Sequence, residues 1–297
     1  MQLLRSLIFV PGNRVNMLER ARDFNADIIM CDLEDSVPPA EKVNARNLAR
    51  EWVPQLARAN GKAGRKIMVR CNALDTGLIR DELAAVIGPD LYGVSVGKTE
   101  SPWDLREIDR IIGPLEATAG LKPGAIKVVP WIESAKAVMN AQQIAGASQR
   151  IVAIAFGAED YTVDMGVQRS DHGQEVYLPR AITAIAARAG GVASLDSPYV
   201  AFRDPAGLKE DAEKARQLGY NGKFAIHPSQ IDIINDTFSP QVEDVAYARR
   251  VMAAWNGAEA AGRGSLDLDG KMVDVPVVKR AQNLLDLVDI INQQTNS

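Results

Sequence analysis

The chain has 297 residues, 46% hydrophobic and 24% charged, with a formal net charge of −4. That length suits one (β/α)₈ barrel with an appendage, and the composition excludes a disordered or fibrous chain. The acidic balance excludes general binding to nucleic acid or to a membrane surface, because no basic surplus exists to neutralise phosphates; a local basic pocket for a small phosphorylated molecule stays open.

The first ten residues carry one Arg and a short apolar run that ends at Pro11-Gly12. A secretory signal needs a longer apolar stretch and a small-residue cleavage site, so this is expected to be a buried strand of a cytoplasmic protein. No apolar run approaches a membrane span. Strand-like segments then recur about every 30 residues, at 4–10, 27–32, 66–71, 91–96, 126–133, 151–156, 192–195 and 223–226. Most are short, apolar and β-branched, as strands buried on both faces must be. Helical spacing fills the gaps at 15–24, at 135–145 behind Ser134 as a cap, and at 178–189. Eight alternating βα units predict a closed parallel barrel over 1–240. The alternative, an open doubly wound sheet, calls for a glycine-rich phosphate turn after its first strand, and Pro11-Gly12-Asn13-Arg14 is no such turn. Cys31 and Cys71 fall inside strands and read as packing thiols, not as a disulfide or a metal pair.

After the eighth strand the pattern changes. Residues 241–261 read as a helix with Val245, Ala248, Met252 and Trp255 on one face. A glycine-punctuated loop follows at 262–270. A last helix repeats Val277, Ala281, Leu284, Val288 and Ile291, too few heptads for a coiled coil. This extension, 241–297, is expected to dock on a neighbouring surface.

A barrel carries its chemistry at the C-terminal ends of its strands. The exits here are Asp32-Leu33-Glu34-Asp35, Arg70 with Asn72, Lys98 with Glu100, Glu133, Glu159-Asp160, Asp196 and His227. Glu133 and Asp160 lie one βα unit apart, on neighbouring strands roughly 4.8 Å from each other, so their carboxylates can converge on one ion. Two carboxylates without a His or Cys cluster suit Mg²⁺, with Mn²⁺ as an alternative, and not zinc. The plainer reading pairs these acids with Lys98 or Arg70 in a polar mouth. Arg70 is suited to grip a substrate carboxylate, or else to pair structurally with Glu34 or Asp35. The acids Asp32, Glu34 and Asp35 repel one another unless cations or a metal balance them, with Lys42 and Arg46 as candidates.

The segments Arg5-Ser6-Leu7-Ile8-Phe9-Val10-Pro11-Gly12, Asp32-Leu33-Glu34-Asp35-Ser36-Val37-Pro38, Arg70-Cys71-Asn72, Ile132-Glu133-Ser134-Ala135, Phe156-Gly157-Ala158-Glu159-Asp160 and Ala225-Ile226-His227-Pro228-Ser229-Gln230 together resemble the citrate lyase beta-subunit-like family. That family sits in the HpcH/HpaI aldolase group with the malyl-CoA and citramalyl-CoA lyases. The resemblance implies a Mg²⁺-dependent barrel that breaks or forms a carbon–carbon bond beside a CoA thioester. By motif, Glu133 and Asp160 match the metal ligands that also hold a 2-oxo acid, and Arg70 matches the residue that binds its carboxylate. The stretch Asp269-Gly270-Lys271-Met272-Val273-Asp274-Val275-Pro276 looks like the tail segment that reaches a neighbouring subunit's barrel. Asp274 there matches the catalytic acid/base, and such members are commonly trimers, so a homotrimer is expected. From the residues alone, Asp274 reads as a loop aspartate or a helix cap. Arg14, Lys42 and Arg46 are candidate donors to the CoA phosphates, or else solvated helix residues.

Two departures touch the pocket. Relatives usually have a proline where Gly97 precedes Lys98, and a glycine where Ala137 stands. Open alternatives are an aldolase acting on free oxo acids, a beta subunit inactive outside a larger lyase complex, and hydrolysis of the CoA ester after condensation. The tail argues against the subunit reading, because the dedicated subunit typically lacks it.

Overall fold

The computed structural model describes residues 3–59, 65–170, 172–260 and 263–295. Eight parallel strands close into a barrel in chain order: β1 (Ser6–Pro11), β2 (Ile28–Asp32), β3 (Lys66–Cys71), β4 (Gly93–Val96), β5 (Lys127–Ile132), β6 (Ala153–Phe156), β7 (Ala193–Asp196) and β8 (Gly222–Ala225). Helices α1 (Val15–Ala21), α2 (Lys42–Ala57), α3 (Ile79–Val86), α4 (Pro102–Thr118), α5 (Ala135–Ala145), α6 (Ala158–Met165), α7 (Gln174–Ala189), α8 (Pro205–Leu218) and α9 (Ile231–Phe238) alternate with them. The expected (β/α)₈ barrel is therefore present, and each predicted strand falls within two residues of an observed one. Ser134 caps α5 as anticipated, its hydroxyl accepting from the Ala137 N–H at 3.1 Å.

The strand compositions explain the closure. β2 is buried at every residue, because helices cover one face and the barrel interior the other. Inside, Leu7, Met30, Met68, Val129 and Leu195 pack together. Above them Phe9 stacks on Phe224 at 5.0 Å and on Trp131 at 5.9 Å, an aromatic layer that plugs the barrel. The seam between β8 and β1 needs a glycine: a Cβ on Gly222 would stand 1.8 Å from the Leu4 carbonyl oxygen. Cys31 and Cys71 are free and buried. Burial, with the charge of Asp32 beside it, pushes the Cys31 thiol up to about 12, so it stays protonated packing.

The chain divides into two compact units, Leu4–Asn235 and a second that runs from Asp236 onward. The second contains α10 (Val242–Ala260), β9 (Ser265–Leu268), β10 (Lys271–Asp274) and α11 (Val275–Thr295) around Ala248, Val251, Trp255, Val273 and Ala281. The loop expected at 262–270 is in part a strand, since β9 and β10 form an antiparallel hairpin. Asp269 and Gly270, at φ 55° and 74°, make its two-residue turn, whose left-handed backbone matches strand twist. Gly262 and Ala261 lie outside the described residues. Among the described residues no helix is long and apolar enough to cross a membrane.

Candidate active site

The C-terminal mouth of the barrel is built on one buried ion pair. Asp32, the last residue of β2, is fully buried and accepts two parallel hydrogen bonds from Arg70, on β3, at 2.7 Å each. It also accepts from the Glu34 and Ser36 backbone N–H groups at 2.9 and 3.1 Å. Burial works to raise its proton affinity, but Arg70 and these bonds hold the carboxyl below its ordinary range. The Arg70 guanidinium lies over the Phe9 ring, 4.5 Å from its centroid, and reaches Asp35 at 2.9 Å and Glu34 at 3.2 Å. The structural pairing with Glu34 and Asp35 weighed for Arg70 is thus present, with Asp32 as the stronger partner. Three of the five guanidinium hydrogens go to Asp32 and Asp35.

Glu133 follows β5 and is 8% exposed. Its Oε1 accepts from the Lys98 backbone N–H at 2.6 Å. Burial and the negative charge of Asp160 push its carboxyl up to about 7, against the Lys98 N–H and Arg70. Asp160 sits in the first turn of α6 and is raised too, by burial and Asp35, with Lys98 and Arg70 opposing. Glu34 is pushed up to about 8 by burial, eased by Arg70 and worsened by Asp35, Glu133 and Asp32. Two glycines admit these carboxylates. A Cβ on Gly157 would stand 2.5 Å from Glu133 Oε2, and one on Gly97 2.7 Å from Glu34 Oε1 and 3.1 Å from Glu133 Oε1.

These residues fit a hard divalent cation. Glu133 and Asp160 offer oxygen alone, and neither forms an ion pair among the described residues. Among those residues no group of three or more His, Cys, Asp or Glu is arranged to hold an ion. A two-carboxylate site of this kind suits Mg²⁺, which keeps waters and takes oxygens from substrate. A cavity of about 480 Å³ opens beside it, lined by Gly97, Lys98, Glu133, Ser134, Asp160 and Val163.

The three cations considered for CoA phosphates are placed differently. Lys42 Nζ donates to the Leu33 and Glu34 carbonyls at 2.7 Å each and to Asn72 Oδ1 at 2.8 Å. All three ammonium hydrogens are engaged, so Lys42 ties the β2 exit to β3 and leaves none for a phosphate in this arrangement. Arg46 pairs with Asp81 at 2.9 Å, near solvent. Arg14 is exposed at the start of α1, and its side chain makes no ion pair among the described residues. Asp196 and His227, two other strand exits, serve structure. Asp196 binds Arg180 and Lys223, and His227 caps the turn Pro228–Gln230 and stacks on Phe202 at 5.0 Å. Asp274 ends β10 and caps α11, its Oδ1 accepting from the Val277 N–H at 3.3 Å. Sequence reading noted Gly97, Gly157 and Lys98 but not their part here, which is to admit the carboxylates and to bond Glu133 through the Lys98 backbone. A glycine directly after a buried strand, beside an exit carboxylate, was the available signal.

The family model for HpcH/HpaI aldolase/citrate lyase matches residues 5–228. A citrate lyase subunit beta of Leuconostoc mesenteroides subsp. cremoris is 36% identical over 288 residues, covering 97% of this chain and 94% of that protein. An L-malyl-CoA/beta-methylmalyl-CoA lyase of Cereibacter sphaeroides is 32% identical over 310 residues, covering 97% and 95%. Among solved structures, the protein CitE of Mycobacterium tuberculosis in complex with magnesium, acetoacetate and coenzyme A superposes with a TM-score of 0.73 at 28% identity, over 95% of this chain and 96% of that one. The Leuconostoc match takes in most of the tail, so possession of a tail does not set this chain apart from citrate lyase beta subunits.

Proposed function

We propose that this chain, which belongs to the HpcH/HpaI aldolase/citrate lyase family and is a magnesium-dependent carbon–carbon lyase, cleaves a 3-hydroxyacyl-CoA such as malyl-CoA or citramalyl-CoA into an acyl-CoA and a 2-oxo acid, or joins the two in reverse. One observation carries the reading: Glu133 and Asp160 are half-buried or buried carboxylates with raised proton affinity and no ion-pair partner, at adjacent strand exits. They would hold the ion, and Mg²⁺ (or Mn²⁺) bound there supplies Lewis-acid polarisation of the oxo acid's oxygens. Arg70, fixed by Asp32 and stacked on Phe9, keeps permanent positive charge beside them and fixes the oxo acid's carboxylate.

In cleavage the 3-hydroxyl gives up its proton, the bond between C2 and C3 breaks, and its electron pair passes to the thioester α-carbon. That carbon then takes a proton, so the reaction is proton-neutral overall. Asp274 of a neighbouring copy in a homo-oligomer, a trimer on this reading, is the donor; in condensation it is the base that removes the α-proton. Its half-buried carboxylate makes among the described residues one hydrogen bond, from the Val277 N–H at 3.3 Å, and no ion pair, which supports that role. Arg14 and Arg46 are the remaining candidates for CoA phosphates.

The test follows loss of thioester absorbance on malyl-, citramalyl- and methylmalyl-CoA with Mg²⁺. Asp274→Asn is expected to lower turnover at least about 100-fold while sparing metal and oxo-acid binding; full activity in that variant would end its assignment. The near full-length match to citrate lyase beta subunits supports a second reading, a subunit that works only in a larger complex. Turnover by the purified chain alone excludes it.

A further inference from the structure

Glu133 and Asp160 come from different segments, one following β5 and the other in the first turn of α6. Mg²⁺ demands near-ideal octahedral oxygen positions, so their separation matters to it. Helix α6 has eight residues, and the last three, Val163 to Met165, are exposed. A helix that short is not held by its own hydrogen bonds, so contacts with its neighbours set where Asp160 lies. Two hydrogen bonds bracket the pair. Before it, the Gly157 N–H donates to the Ile132 carbonyl at 3.1 Å. After it, the Asp164 carboxylate accepts from the Ala135 N–H at 2.7 Å. The first tie is backbone alone, and the second depends on one side chain. Asp164 follows Asp160 by four residues, so both project from one face of α6. Ala135 opens α5, and an N–H there has no partner within its own helix. On the β4 side the same helix start is held by Glu100, which accepts from Ser134 Oγ at 3.1 Å and pairs with Lys136 at 3.0 Å. The start of α5 is thus fixed from both sides, and through Asp164 it is the anchor for α6.

We propose that Asp164 is a positioning residue: by binding the Ala135 N–H it fixes α6 against the exit of β5, and so sets the separation at which Glu133 and Asp160 hold one divalent cation between them. This rests on the ion-binding reading of that pair. In this role Asp164 needs no contact with ion or substrate, because its effect passes through the start of α5. Without the tie, α6 shifts among several placements, and only the fraction with both carboxylates in place binds the ion.

Calorimetric titration of Mg²⁺ into the substrate-free protein separates the outcomes in the wild type, Asp164→Ala, Asp164→Asn, Ala135→Pro and the double variant Asp164→Ala/Ala135→Pro. Asp164→Ala should weaken Mg²⁺ about 10-fold, the effect of one lost hydrogen bond on the share of competent molecules. Asp164→Asn, whose amide oxygen still accepts, should stay within about threefold of the wild type. Ala135→Pro removes the donor and no charge. Proline is favoured at the first position of a helix, and the extended Ser134 before it suits one. This variant should match Asp164→Ala, and the double variant should be no weaker than either, since all three lose the same bond. Metal-free melting temperatures should stay within about 4 °C of the wild type, which separates positioning from a general loss of fold. Unchanged Mg²⁺ affinity in Asp164→Ala overturns the assignment. So does equal weakening by Asp164→Ala and Asp164→Asn with Ala135→Pro unaffected, which assigns the effect to charge. If Asp164→Ala does not fold, Ala135→Pro decides: unchanged affinity there overturns the assignment. Each of these results leaves the ion-binding reading intact, whereas a wild type that binds no Mg²⁺ overturns both.

Discussion

Two buried charge clusters occupy different arcs of the same barrel. Between β7 and β8, Arg180 and the fully buried Lys223 meet Asp196 and Asp211 at 2.5–3.0 Å, two cations against two carboxylates. Burial would raise Asp211, but Lys223 and Arg180 hold its carboxyl down to about 2. On the arc from β2 to β6, the five carboxylates Asp32, Glu34, Asp35, Glu133 and Asp160 have among the described residues a single ion-pair partner, Arg70, with Lys98 near Asp160, and Glu34 and Glu133 are pushed up to about 8 and 7. Charges that serve folding are cancelled within the chain. The uncancelled excess lies where the proposed Mg²⁺ would sit.

The comparison is sharpest in activity. Removing Mg²⁺ with a chelator, or Glu133→Gln, should lower acyl-CoA cleavage by at least about 1000-fold, because both remove the ion that offsets developing charge. Readdition of the ion should rescue the first and not the second. Next comes stability: Lys223→Met should destabilise the protein by about 3–5 kcal/mol in denaturant melts, since it leaves Asp196 and Asp211 buried and short of a cation. Glu133→Gln should act the opposite way and stabilise the metal-free protein by about 1–3 kcal/mol near pH 8, by relieving a buried negative charge. If both substitutions destabilise alike, the two clusters do not differ as described.

A pH effect of similar size follows. Glu34 and Glu133 have folded-state affinities for protons above those of the unfolded chain, so their favourable contribution is whole at pH 4 and is lost as pH rises through 7 to 8. Metal-free protein should therefore weaken across that range, while Mg²⁺ affinity, which needs Glu133 ionised, should fall about tenfold per pH unit below 7. Calorimetric titration at pH 6, 7 and 8 checks both. The β7–β8 cluster should be silent there, because the Asp211 contribution is lost only as pH falls from about 4 toward 2. The smallest effect is expected for Gly97→Ala: its Cβ pushes Glu34 and Glu133 aside, which should weaken Mg²⁺ a few-fold, about 1 kcal/mol, with little change in melting.

The barrel was legible because a strand covered on both faces must be apolar throughout, and eight such runs stand out between helical periods. The placement of Glu133 and Asp160 after neighbouring strands was legible because a strand's end can be read from its apolar run. Their charge environment was not, since it depends on which residues lie across the mouth. Asp196 and Glu133 look alike in sequence, and what distinguishes them is Arg180, from α7, and Lys223, from the start of β8, both seated on Asp196. Lys42 looked free for phosphate because nothing in sequence reveals that two carbonyls and Asn72 converge on it. The hairpin before Asp274 was missed although Asp269-Gly270 between Leu266-x-Leu268 and Met272 carries its signal. Glycines nearby suggested a loop, and a four-residue strand gives little alternation to read.

The seam at Gly222 has a consequence for biosynthesis. β1 is made before every other strand of the barrel, yet its second neighbour, β8, emerges more than 200 residues later. At ribosomal speeds of roughly 5–20 residues per second, β1 waits some tens of seconds with one edge unpaired. An unpaired apolar edge is a template for association with other chains. Nascent copies crowded on one message are thus most exposed during that interval, and a side chain at position 222, which would keep the Leu4 carbonyl from approaching, would make the interval permanent.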